Sequence, residues 1–215
     1  ETLFIIIHQV YELWFKQLLH EMRAVQVALE LGDSTRVLAL LQRVLTILKT
    51  LVSQVDVLET MTPQDFLAFR TLLAPASGFQ SVQFRELEFL SGLKDDAVVR
   101  RLHGATYDEL ARLQRRLDEP SLWEAFVAAL GADGLPVGSE DDVRAALLTI
   151  ARERASYGEL WDVAEGLLTH DELSAQWRAL HATVVERQIG YKPGTGGSAG
   201  VGYLRGRARK STRLN

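Results

Sequence analysis

The sequence predicts an all-α fold, a helical bundle of about four long and several short helices. Three observations carry that expectation. Apolar residues recur at three- and four-residue steps over long stretches, no segment of convincing strand alternation appears, and stop and cap signals fall between the periodic stretches. In the first stretch Phe4, Ile7, Tyr11, Trp14, Leu18, Met22, Val25 and Leu29 hold the helical period until Gly32. After "GDS", Val37, Leu41, Val44, Leu48, Leu51, Val55 and Leu58 alternate steps of four and three as in a bundle seam, so the second helix is expected to pack antiparallel to the first. Thr62 caps a short helix with Pro63 at its first position, which Pro75 ends. "FQSVQFRELEFLSG" reads as a helix stopping near Gly92, "YDELARLQRRL" as another, and "SLWE" at 121–124 as a capping box. "GADGLPVGS" is a loop. From Ser139 to Leu168 the spacing predicts one long helix, with a break at His170 and Asp171 before a helix carrying Leu173, Trp177, Leu180, His181, Val184 and Gln188 on one face.

The 215 residues are 47% hydrophobic and 24% charged, an ordinary globular composition, and the absence of cysteine excludes disulfides, thiolate metal sites and a cysteine nucleophile. One domain over residues 1–204 is expected, followed by a basic tail over 205–215. That tail, "RGRARKSTRLN", has no acidic residue, while the remainder of the chain is acidic, so a nucleic-acid partner is not expected. No apolar run approaches the roughly 20 residues that span a bilayer and no signal-peptide pattern opens the chain, so the expectation is a cytoplasmic protein without a membrane partner. The chain opens inside a helical pattern, which predicts that its natural N-terminus lies upstream.

The glycine-rich stretch "GYKPGTGGSAGVGYL" at 190–204 invites a phosphate-cradle reading. Lys192 precedes the glycines, however, and neither a Walker pattern nor the strand that a dinucleotide loop requires is present. The histidines discriminate better. His20, His103 and His170 sit beside charged residues or at segment ends, where solvation is expected. His8 and His181 lie on or beside apolar helix faces, where a neutral imidazole needs a partner. With no HExxH pair and no carboxylate-rich helix, two isolated histidines in a helical bundle suit a haem, which needs one axial imidazole and an apolar slot. Arg70, among Phe66, Phe69 and Leu73, suits bidentate capture of a carboxylate.

Four segments, "FIIIHQVYELWFKQLLHE" at 4–21, "FLAFRTLLAPASGFQSVQFRELEFLSG" at 66–92, "PSLWEAF" at 120–126 and "QWRALHATVVERQIGYKPGTGGSAGVGYL" at 176–204, resemble the tryptophan 2,3-dioxygenase family in order and spacing, over nearly the whole chain. The resemblance implies a mostly helical haem b enzyme, a cytoplasmic homotetramer, that inserts both atoms of dioxygen across the indole 2,3-bond of L-tryptophan to give N-formylkynurenine, the first step of the kynurenine route. By matching position it implies His181 as the axial ligand of the haem iron and His8 as the catalytic distal histidine contacting the indole N–H. Phe4, Ile5, Ile6 and Ile7 would line the indole pocket. Arg70 would clamp the substrate carboxylate beside Phe66, Ser77 and Gly78 would approach the distal face of the haem, and Thr195 would contact the ammonium and carboxylate. The glycine-rich loop then becomes a substrate lid. Leu180 before His181 and Pro193 after Lys192 depart from the family pattern and motivate one alternative, a biosynthetic homologue oxygenating a substituted tryptophan; the family's N-terminal segment and apolar C-terminal stretch, which this sequence does not show, motivate another, a non-catalytic haem-binding sensor.

Overall fold

The computed structural model describes residues 1–74, 78–102, 104–195 and 200–208, with the side chains of 207 and 208 left aside. The described residues are all-α. Helix α1 spans Thr2–Glu30 and α2 spans Ser34–Glu59, separated by a turn in which Asp33 accepts a hydrogen bond from the Arg36 backbone N–H. All seven residues of the expected α2 seam are buried, and on α1 the buried line runs through Ile7, Tyr11, Phe15, Leu18, Met22, Val25 and Leu29, with Phe15 taking the place expected for Trp14. The Tyr11 hydroxyl donates to the Leu51 carbonyl at 3.2 Å and Arg43 pairs with the buried Glu21 at 2.9 Å. Since 11 faces 51 and 21 faces 43, the two helices are antiparallel.

α3 (Pro63–Phe69) carries the Thr62 capping box and tightens into a 3-10 turn over Arg70–Leu73. A second 3-10 turn, Gly78–Gln80, precedes α4 (Val82–Leu90), which starts later than the sequence suggests because Ser81 supplies the N-cap. α5 (Asp96–Arg101) and α6 (Tyr107–Asp118) form a small second core with α4 around Val82, Phe89, Val98, Leu102 and Leu113. α7 (Leu122–Ala132) starts at the expected Ser121–Glu124 capping box and packs on α1.

The C-terminal half departs from the expected layout. α8 (Glu140–Arg152) stops at Glu153, and α9 then runs from Arg154 to Ile189 with a kink at Tyr157. The break expected at His170 and Asp171 does not occur. Both side chains are buried there, at 5% and 4% exposure, so they serve the core of a continuous helix instead of a solvated turn, and the expectation of a solvated His170 is overturned with it. His20 is exposed as expected, and His103 lies outside the described residues.

α9 packs along α2 in the same direction, with Gly166 opposite Leu41 and the Gln188 side chain donating to the Met61 carbonyl at 2.7 Å. A Cβ on Gly166 would lie 2.4 Å from Leu41 Cδ2, so this glycine sets how closely the two helices approach. α2 is long and apolar enough by length and composition to cross a membrane, contrary to the expectation of no such run. Its apolar seam is in contact with α1 and α9. α10 (Val201–Ala208) lies on α9, where Arg205 pairs with Glu186 at 2.5 Å, so the expected division at residue 204 falls inside a helix.

Candidate functional site

The helix directions decide where a site can form. The first half of α1, the end of α2 and the end of α9 converge, and α3, residues 193–195 and α10 close over them. Between these elements lies a cavity of about 270 Å³ whose walls include Phe4, His8, Phe66, Arg70, Gly78, His181 and Thr195. Residues as far apart in the chain as Phe4 and Thr195, singled out by the sequence, thus meet at one place.

α1 contributes Phe4 and His8, four residues apart and therefore on one face. The Nδ1 of His8 lies 2.6 Å from the Phe4 carbonyl, and the two rings are 4.1 Å apart. The carbonyl can only accept, so Nδ1 carries the proton in this contact and a neutral ring keeps Nε2 as an acceptor. His8 is open through the cavity mouth, yet the side chains around it displace enough water to push its pKa below the ordinary histidine value, against the opposing effects of the Phe4 hydrogen bond and the Glu12 charge. Phe4 also packs on Phe66 and Phe69, each at 5.6 Å, to form an aromatic wall from α1 and α3.

The same periodicity removes three expected residues from that wall. Ile5 and Ile6 are exposed at 43% and 51%, and Ile7 turns into the helical core at 5%. Each step of about 100° along a helix rotates the side chain away from the Phe4–His8 face, so none of the three lines the cavity.

Opposite, α9 presents His181. Its ring stacks on Trp177 at 5.3 Å with 5° between the planes, and Trp177 is in turn braced by Tyr11, Phe15 and Phe84. Burial pushes the His181 pKa down to about 4, helped by repulsion from His8 and Arg85, so at neutral pH the ring is uncharged and can act as a nitrogen ligand. Leu180 packs against the helical core, and its side chain does not line the cavity.

Arg70 stands at the junction of α3 and its 3-10 turn, where its Nη2 donates to the Pro193 carbonyl and its buried Nε has no partner among the described residues. The departure from family pattern at Pro193 therefore enters the site through a backbone oxygen, which any residue there would offer. Gly200 closes the base of the following loop: its φ is +59°, and a Cβ would meet the Lys192 carbonyl at 2.6 Å. Ser77 lies outside the described residues, as do residues 196–199 of the glycine-rich stretch.

The sequence places Trp177 and His181 on one helix face, where Trp177 is expected to hold the His181 ring, and the stacking of the two rings agrees with that expectation. Sequence reasoning missed Arg85 and Tyr203 on the cavity wall, because no local pattern marks a helix arginine as buried.

The pattern of the tryptophan 2,3-dioxygenase family matches residues 1–128 and 138–214. A tryptophan 2,3-dioxygenase of a Nocardioides species is 59% identical over 211 residues, covering 96% of this chain and 79% of the relative. Those of Herpetosiphon aurantiacus and Caulobacter vibrioides are 45% and 40% identical, over 95% and 98% of this chain and 82% and 84% of their own lengths. Taken with the all-α architecture and the paired histidines at one aromatic cavity, these matches establish that the chain belongs to the tryptophan 2,3-dioxygenase family.

Proposed function

We propose that the chain is the catalytic unit of a haem b enzyme that cleaves the indole 2,3-bond of L-tryptophan with dioxygen, placing one oxygen atom on each carbon to give N-formylkynurenine. The observation that carries this reading is the pair of imidazoles, His8 and His181, on one apolar cavity, only one of them braced by stacked rings. The donor set suits haem: a neutral imidazole, aromatic and aliphatic walls, and cationic side chains at the cavity edges. When bound, haem supplies the one-electron reactivity towards dioxygen that amino-acid side chains lack.

The protein's own residues supply the rest. His181 would hold the iron, with Trp177 fixing the plane of its ring. His8, with Nδ1–H committed to the Phe4 carbonyl, offers Nε2 to accept the indole N–H and so sets which edge of the ring faces the reacting centre. Phe4 and Phe66 exclude water from the indole. Arg70 would exchange the Pro193 carbonyl for the substrate carboxylate, and Thr195, half-buried on the same wall, would meet the ammonium and carboxylate. Gly78, and Ser77 before it, would lie along the haem. The reading extends to a cytoplasmic homotetramer. Exposed Leu3, Ile6 and Leu13, which share one outer face of α1, supply apolar surface for packing between subunits.

The test is reduction of the haem-loaded protein without oxygen, followed by L-tryptophan and ¹⁸O-labelled dioxygen. N-formylkynurenine carrying two labels is expected. A singly labelled product, or an oxygenated protein that leaves tryptophan unchanged, would contradict the proposal.

A further inference from the structure

Arg70 serves one end of the cavity, and a second group of donors gathers at another edge, around Phe79. That ring follows Gly78 in the 3-10 turn and is met by three side chains, one each from α4, α5 and α10. The Arg85 guanidinium lies 5.3 Å from its centre, the Arg101 guanidinium 5.9 Å, and the Tyr203 ring 6.1 Å in an edge contact. Arg85 is 5% exposed and projects from α4, where its Nη1 pairs with the equally buried Glu88 and its guanidinium lies 4.8 Å from the centre of the Phe84 ring. Its Nε is buried and has no hydrogen-bond partner among the described residues. The Tyr203 hydroxyl, brought in by α10, is buried in the same condition. Both residues line the cavity.

A buried donor without an acceptor is costly, and two on one edge of an apolar cavity call for a ligand that brings an oxygen. A guanidinium and a phenol that meet the same ring select a carboxylate over a neutral carbonyl, because the bond to a charged acceptor is the stronger one. We propose that Arg85 and Tyr203 form a carboxylate subsite at the Phe79 edge, separate from Arg70, and that the group it takes is a propionate of haem. The inference rests on the haem reading above. Two observations favour the cofactor over the substrate as the source. Arg70 already stands by Phe66 and residues 193–195 for the amino-acid end, and the Arg85 guanidinium lies 4.8 Å from the centre of the Phe84 ring, which packs at 5.1 Å on the Trp177 indole that stacks on His181, so it stands on the iron-ligand side. Glu88 then acts as a positioning residue that holds the guanidinium between Phe79 and Phe84.

The experiment compares the full chain loaded with iron protoporphyrin IX, which has two propionates, and with iron etioporphyrin, which has none. The readout is the rate at which each porphyrin is lost to excess apomyoglobin, for the unchanged chain, Tyr203→Phe and Arg85→Lys. Tyr203→Phe removes one hydroxyl and is expected to speed protoporphyrin loss about tenfold, the range for a hydrogen bond to a charged group, while changing etioporphyrin loss less than about twofold. Arg85→Lys keeps the charge beside Glu88 and is expected to act in the same direction. Should Arg85→Lys fail to fold, Tyr203→Phe decides alone. Equal acceleration for both porphyrins, or none for protoporphyrin, would overturn the subsite and leave the haem reading intact. A tenfold weaker affinity for L-tryptophan with protoporphyrin loss unchanged would assign the carboxylate to the substrate and likewise overturn the proposal. An unchanged chain that takes up neither porphyrin would overturn the haem reading, and the subsite with it.

Discussion

His8 and His181 are the same side chain on one cavity, and their surroundings differ in almost every respect. His181 stacks on an indole that three further aromatic rings hold in place, so its plane is fixed by packing across α1, α4 and α9. His8 is held by its own helix turn, through one hydrogen bond to Phe4, and stays open at the mouth. A metal ligand gains from a rigid, uncharged ring, whereas a residue that receives a substrate gains from access and a defined tautomer. The cavity thus divides into a closed side built from packing and an open side built from local hydrogen bonding.

That division can be broken one residue at a time. The largest effect is expected for His181→Ala, which removes the braced imidazole and should abolish the histidine-ligated haem spectrum; an unchanged spectrum would move the ligand elsewhere. Next comes Arg70→Ala, which should weaken L-tryptophan binding more than tenfold, since a charge-assisted hydrogen bond contributes about 1.5–3 kcal/mol. Thr195→Ala should cost less, and its loss should shrink for indole-3-propionate, which lacks the ammonium group, as titrations with both ligands will show. His8→Ala should keep the haem and lose only part of the turnover, because one hydrogen bond to the indole is lost while the closed side is untouched. Complete loss of haem on that change would make the open side the ligand side.

A smaller effect sharpens the contrast away from the cavity wall. Burial holds the His170 pKa down to about 4, with Arg178 acting in the same direction and Asp171 against it. The unfolded chain takes up this proton below about pH 6.5 and the folded chain only near 4, so stability should fall as pH drops through that window. At pH 5 the linked loss is about 2 kcal/mol. Urea midpoints at pH 7 and pH 5 should converge in His170→Gln relative to the unchanged chain, and an unaltered difference would place the pH dependence on other groups.

How legible all this was in the sequence depends on whether a feature is periodic. The α2 seam reads directly because burial there follows three- and four-residue steps, and the caps at Thr62 and Ser121 read because the side chains that satisfy helix ends are local. The end of α8 at Glu153 did not, since no glycine or proline marks it, and His170 with Asp171 looked like a break because their burial depends on partners from other helices. The site was visible where family segments coincide with cavity walls, as for Phe4, His8, Phe66, Arg70, His181 and Thr195. The carry-over from the family and the cavity walls part at Ile5, Ile6 and Ile7, which the helix period turns away from the Phe4–His8 face. Arg85 and Tyr203 were invisible because a buried arginine and an unmatched hydroxyl are defined by what surrounds them in three dimensions.

The central claim, that His181 is a ligand and His8 is not, is tested most directly by chemical rescue in the haem-loaded protein. His181→Gly leaves a ring-sized space against Trp177, and added imidazole should restore the ferric and ferrous absorption spectra of the unchanged chain. His8→Gly should show those spectra without any addition. Restoration by imidazole in His8→Gly, together with an unaltered spectrum in His181→Gly, would reverse the assignment.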